Sequence, residues 1–129
     1  MKINQPFSIS KRLKSFTFAF NGLKILVQEE HNSWIHIAIT VCVTIAGFLL
    51  HISLIEWVAV ILCMGLVFSL ELFNSAIENM ADFASPQKNE IIGKVKDLSA
   101  AAVLIAAICS VIVGLIVFLP KLIDIADTI

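Results

Sequence analysis

Three long apolar runs constrain this chain more than any other feature: WIHIAITVCVTIAGFLL from Trp34 to Leu50, LIEWVAVILCMGLVFSL from Leu54 to Leu70, and LSAAAVLIAAICSVIVGLIVFL from Leu98 to Leu119. Each approaches the roughly 20 residues that a helix needs to cross a bilayer core about 30 Å thick. The expectation is an all-α membrane protein. Composition agrees, since 59% of the residues are hydrophobic and 15% charged, whereas a soluble domain carries about a quarter charged residues. Cys42, Cys63 and Cys109 each lie inside an apolar run without C-x-x-C spacing, so neither a disulfide nor a zinc site is expected.

The 129 residues read as a single domain, with membrane helices over 34–50, 54–82 and 96–119. His51, Ile52 and Ser53 form a tight connection between the first two spans, and Glu56 and Trp57 anchor the second at the interface. Pro120, with Lys121 just beyond it, is the expected stop of the third. The first 32 residues contain no apolar stretch ending in a small-residue cleavage site, so no cleaved signal peptide is expected.

Orientation follows from the basic residues. Lys2, Lys11, Arg12, Lys14 and Lys24 precede the first span, and Lys88, Lys94 and Lys96 lie between the second and third. None lies in the first connection, and Lys121 alone follows the third span. The positive-inside rule puts the N-terminus and the second loop in the cytoplasm and the C-terminus outside. Within segment 5–30, Leu13, Phe16, Phe20, Leu23 and Val27 recur at helical spacing, with Lys11, Lys14, Asn21, Lys24 and Gln28 on other faces. That pattern fits an amphipathic helix lying on the membrane surface, or else a cytoplasmic helix packed on the bundle.

The second span continues into ELFNSAIENMAD, residues 71 to 82. At 100° per residue, Glu71, Asn74, Glu78 and Asp82 fall within an arc of about 80°, with Ser75 at its margin. Acidic groups within spans are costly and usually face protein or water at functional sites. Two further clusters reach the same depth on the same side: Glu29 and Glu30 before the first span, and Lys94, Lys96 and Asp97 at the start of the third. Carboxylates from different helices can hold magnesium, lysines can neutralise phosphate, and another carboxylate can deprotonate a hydroxyl. This set suits phosphoryl transfer from a nucleotide to a lipid alcohol, although neither GxxxxGK[ST] nor GxGxxG occurs. The bland alternative is a face of interhelical hydrogen bonds. His36 is expected to hydrogen-bond across helices rather than bind metal, and Phe18 to make lipid or packing contacts.

These residues resemble the prokaryotic diacylglycerol kinase family, which also contains the undecaprenol kinases. The pattern E-x-x-N-[ST]-A-x-E-x-x-x-D is met by Glu71, Asn74, Ser75, Ala76, Glu78 and Asp82, and KDLSAAAVLIAA from Lys96 matches the family's lysine-aspartate pair and third helix. The likeness runs from about Lys11 to Lys121. It implies a homotrimer with an amphipathic surface helix, three membrane helices per subunit and active sites between subunits. It further implies Glu71 as catalytic base, Asn74 placing it, Glu30 and Glu78 binding Mg2+, and Lys96 on the phosphates. Asp82 and Asp97 would support the nucleotide site, and Phe18 would lie near the adenine. Trp34 departs from the family, which often has a basic residue there, and Pro86 to Asn89 depart from its usual loop.

The resulting expectation is transfer of the γ-phosphate of ATP to diacylglycerol, giving phosphatidic acid, with undecaprenol as the rival lipid. The bilayer is the expected setting, in a bacterial inner membrane, and nucleic acid is not an expected partner. From other classes, a small proton-coupled transporter and a structural helper subunit also account for membrane acids in a short chain. Transport sites usually lie near the bilayer midplane, whereas this cluster lies at one surface.

Overall fold

The computed structural model of the chain describes residues 6–129, so Lys2 and the start of segment 5–30 lie outside the described residues. The described residues form helices only: α1 (Ile9–Glu29), α2 (His31–Leu49), α3 (Leu54–Ala84) and α4 (Glu90–Ala126). The last three are long and apolar enough to cross a membrane. At 1.5 Å per residue, α3 and α4 are about 46 and 55 Å long, so both outreach a hydrocarbon core of about 30 Å.

Helix α1 starts at Ser8, whose hydroxyl accepts from the Lys11 amide at 3.5 Å. It leaves Leu13, Phe16, Phe18 and Phe20 exposed and buries only Leu26, near its end. An apolar stripe uncovered along the early turns is suited to the headgroup region. The chain then turns without a loop, because Glu30 is extended (φ −104°, ψ 110°) and belongs to neither helix. A helix end leaves carbonyls unpaired, and the first turn of α2 pairs them. Ser33, fully buried, shares its hydroxyl proton between the carbonyls of Glu30 (2.6 Å) and Leu26 (3.1 Å). The indole N–H of Trp34 donates to the Val27 carbonyl at 3.0 Å, so this side chain ties the start of α2 back to the end of α1.

Between α2 and α3 the tight connection is a Schellman turn. The Ile52 amide donates to the Gly47 carbonyl and that of His51 to Phe48, with His51 in the left-handed region at φ 48°. Gly47 is required here by close approach, because a Cβ would lie 2.7 Å from the Trp57 ring. Helix α3 opens with a capping box in which the Glu56 carboxylate accepts from the Ser53 amide (2.6 Å) and the Ser53 hydroxyl from the Glu56 amide (3.3 Å). Glu56 also meets Lys121 at 3.2 Å, tying the start of α3 to the end of α4.

Helices α3 and α4 share the most extensive helix interface. Val60 of α3 and Val117 of α4 form a buried cluster with Ile52 of the preceding turn. Helix α4 begins at Glu90, capped by the Asn89 side chain, six residues earlier than expected. It also passes through Pro120 to Ala126 instead of stopping there. Proline withholds one intrahelical hydrogen bond and crowds the preceding turn. The turns beyond it are held by the Lys121–Glu56 pair and by the Asp127 amide on the Ile123 carbonyl.

Candidate active site

The polar stripe of α3 meets the other helices one residue at a time. Glu71, 3% exposed, is hydrogen-bonded to His36 Nε2 of α2, 2.9 Å from its Oε1. Asn74 Oδ1 accepts from the Ser99 hydroxyl of α4 at 2.7 Å, a hydroxyl that also lies 2.9 Å from the Lys96 carbonyl of its own helix. Ser75, also buried, donates to Glu30 Oε1 at 3.0 Å. One turn beyond Glu78, Asp82 pairs with Lys96 of α4 at 2.6 Å. Glu78 is half-buried and contributes to the electric field at the Lys96 ammonium.

Each position has a local cause. Glu30 reaches Ser75 because the junction between α1 and α2 is stitched by Ser33 and Trp34, and that junction puts the side chain one turn from Glu78 along α3. Lys96 and Ser99 lie three residues apart on α4 and so share a face, the one turned to Asn74 and Asp82. Asp97 lies about 100° round the helix from Lys96, and it is exposed.

The two ends of the stripe differ in what they give up to be there. Burying Glu71 is costly unless it is hydrogen-bonded, and among the described residues no buried side-chain nitrogen or oxygen lacks a partner. The Lys96–Asp82 pair is open to solvent, at 35% and 68% side-chain exposure. Such an exposed pair contributes little to stability, so its consequence is placement. A recess of about 500 Å³ runs from this pair along the turn between α3 and α4, past Ser85, Lys88 and Asn89.

Of the residues singled out in the sequence, Glu30, Glu71, Asn74, Glu78, Asp82 and Lys96 thus lie on or against one face of α3. Phe18 does not join them; it is 71% exposed on α1. The hydrogen-bonding expectation for His36 is met, and its partner is the buried acid itself. Ser99 is a site neighbour that the sequence motifs do not single out, and only its spacing of three residues from Lys96 puts it on the same helix face.

Residues 17–118, most of the chain, match the family model described as prokaryotic diacylglycerol kinase. An undecaprenol kinase of Bacillus subtilis is 40% identical over 88% of this chain and 93% of its own length. The chain belongs to the prokaryotic diacylglycerol kinase family. Other similar members are a diacylglycerol kinase of Synechocystis, 38% identical over 87% of this chain and 65% of its own, and one of Escherichia coli, 32% identical over 84% and 89%. As a family member the chain is a membrane lipid kinase, an enzyme that moves a phosphoryl group from a donor to a lipid. The matched region covers the whole polar face of α3 together with Glu30, His36, Lys96 and Ser99.

Proposed function

We propose that this lipid kinase transfers the γ-phosphate of ATP to the primary hydroxyl of a membrane lipid alcohol, and that the α3 face is where it does so. The observation that carries the reading is the gradient along that face. Buried Glu71 sits at the apolar end, whereas Glu78, Asp82 and Lys96 stand two to three turns further toward water. A hydroxyl from the bilayer and phosphates from solution can therefore meet on one helix face. In the reaction, the lipid oxygen forms a bond to the γ-phosphorus as Glu71 takes its proton, and the bond from that phosphorus to the ADP oxygen breaks. Asn74, held by Ser99, lies one turn from the base and helps to place it. Lys96, set by Asp82, offsets phosphate charge, with Asp97 and Phe18 supporting the nucleotide.

The donor set also fits magnesium, which uses one or two carboxylates and takes its remaining ligands from water and phosphate. Glu30 and Glu78 would hold it. When bound, it neutralises negative charge on the transferring phosphate.

Lysine and arginine placement supports an N-terminus and second loop in the cytoplasm and a C-terminus outside, and the bacterial relatives support residence in a bacterial inner membrane. A homotrimer with active sites between subunits is what the family resemblance implies, and in such an assembly Phe18 and Asp97, which stand off the α3 face within one chain, would be supplied across a subunit boundary.

Two lipids compete. Diacylglycerol is the reading that follows from the family's description. Undecaprenol is favoured by the B. subtilis relative, whose identity and coverage both exceed those of the two diacylglycerol kinases above, and it is the first to test. Labelled phosphate transfer from magnesium ATP to each lipid in mixed micelles separates them. Labelling of one lipid identifies the substrate. Labelling of neither by assembled protein would refute the reading, and proton flux in liposomes would then favour a transporter.

A further inference from the structure

From its contact with the buried acid, we infer that His36 is a positioning residue for the reaction: it holds the Glu71 carboxylate so that one oxygen remains turned to the lipid hydroxyl. The inference rests on Glu71 being the base.

Nε2 of His36 lies 2.9 Å from Oε1 of Glu71. An ionised carboxylate can only accept, so Nε2 carries the proton and donates it. Oε1 is thereby engaged, and Oε2 is left to receive the substrate proton. The imidazole is itself constrained. The ring of Phe68, one turn before Glu71 on α3, meets it edge to face, with centroids 6.4 Å apart and planes at 74°. His36 also lines an apolar cavity of about 240 Å³ between α2, α3 and α4, in company with Thr40, Val67 and Ser110. Where water is scarce, a satisfied hydrogen bond is stronger and an orphaned carboxylate costs more. A base free to rotate in such a place would turn toward any other donor and lose the hydroxyl.

Helical glue between α2 and α3 would need only some polar contact. Positioning needs a donor at the reach of Nε2. Glutamine carries an amide nitrogen at nearly that reach, asparagine falls short, and leucine has none. The chemistry requires no further reactant, because the proton still passes from the lipid oxygen to Glu71 as the new O–P bond forms and the bond to ADP breaks.

The test uses the full chain, assembled in mixed micelles with magnesium ATP and whichever lipid the wild type labels. His36→Leu is expected to lower kcat about 10- to 100-fold, the scale of a misplaced reacting group, with the KM for ATP within about twofold of wild type. His36→Gln should recover kcat to within a few-fold of wild type. Because the two residues act as one unit, His36→Leu combined with Glu71→Gln should be no slower than Glu71→Gln alone. If the leucine variant fails to assemble, His36→Asn replaces it with the same expectation. Wild-type kcat in the leucine or asparagine variant, or a glutamine variant as slow as either, overturns the assignment. An active Glu71→Gln enzyme has a different meaning, since it removes the base itself, and the role of His36 with it.

Discussion

The two ends of the α3/α4 pair contrast in how they use polar groups. At the end bearing Ser53, Glu56 and Lys121, each group closes on another: a capping box, an ion pair and an indole packed against a glycine. At the end bearing Glu71 to Asp82, the same helices hold an acid hydrogen-bonded in the interior, an exposed ion pair and carboxylates beside a recess. The first end is closed by contacts within the chain, while at the second the Lys96–Asp82 pair stays exposed beside the recess, which is where the proposed reaction needs charge. Charge in a membrane protein therefore does not by itself mark function; the informative sign is a charge placed where its own fold leaves it work to do.

The sharpest way to break this contrast is to remove a charge from each end. Glu71→Gln should lower kcat by about 10² to 10⁴, the range associated with a general base, with assembly intact by size-exclusion chromatography. Glu56→Gln should leave kcat unchanged, since its contacts are the cap and Lys121. Similar losses from both substitutions would mean that the stripe is structural.

A smaller but still large effect is expected at Glu78. Glu78→Gln should lower kcat on the order of 100-fold, the usual cost of losing one element of charge stabilisation, and raise the magnesium concentration needed for half-maximal rate. A magnesium titration of the variant checks this. An unchanged half-saturation would leave Glu78 outside the metal site.

Much of this was legible before any coordinates. Spans of apolar residues reveal membrane helices because lipid offers the backbone no alternative partner, and the 3.6-residue period puts Glu71, Asn74, Glu78 and Asp82 on one face by arithmetic. What could not be read was pairing between helices. Nothing in the sequence near Ser99 says that its hydroxyl meets Asn74, and His36 could be expected to cross to another helix without revealing that Glu71 was waiting there. The helix ends were the other weak point. Pro120 is a stop signal locally, but Lys121 pairs with a residue far away in sequence, and that contact helps to anchor the turns beyond it.

At the closed end, packing should matter where charge does not. Gly47→Ala would put a methyl group 2.7 Å from the Trp57 ring and 3.1 Å from Ile52 Cδ1. Overpacking of this kind costs about 1 to 3 kcal/mol, read as a lower melting temperature in micelles. The rate of the protein that remains folded should match wild type. Adding Trp57→Leu should restore part of the loss by making room. Failure of that second change to help would show that the indole is not what the methyl group meets.

The smallest effect is expected in the turn beside it. His51 holds φ at 48°, a conformation that costs a side chain about 1 to 2 kcal/mol relative to the right-handed region. Glycine removes that strain but loses about 0.5 to 1 kcal/mol through the greater freedom of the unfolded chain. His51→Gly should therefore stabilise by no more than about 1.5 kcal/mol, seen as a slight rise in melting temperature with kinase activity unchanged. His51→Ala keeps the strain, since it keeps the Cβ, and should show no rise. The pair of variants thus separates backbone strain from loss of the imidazole. If glycine lowered the melting temperature as much as alanine, the His51 ring would be supporting the turn, and the closed end would depend on a polar side chain after all.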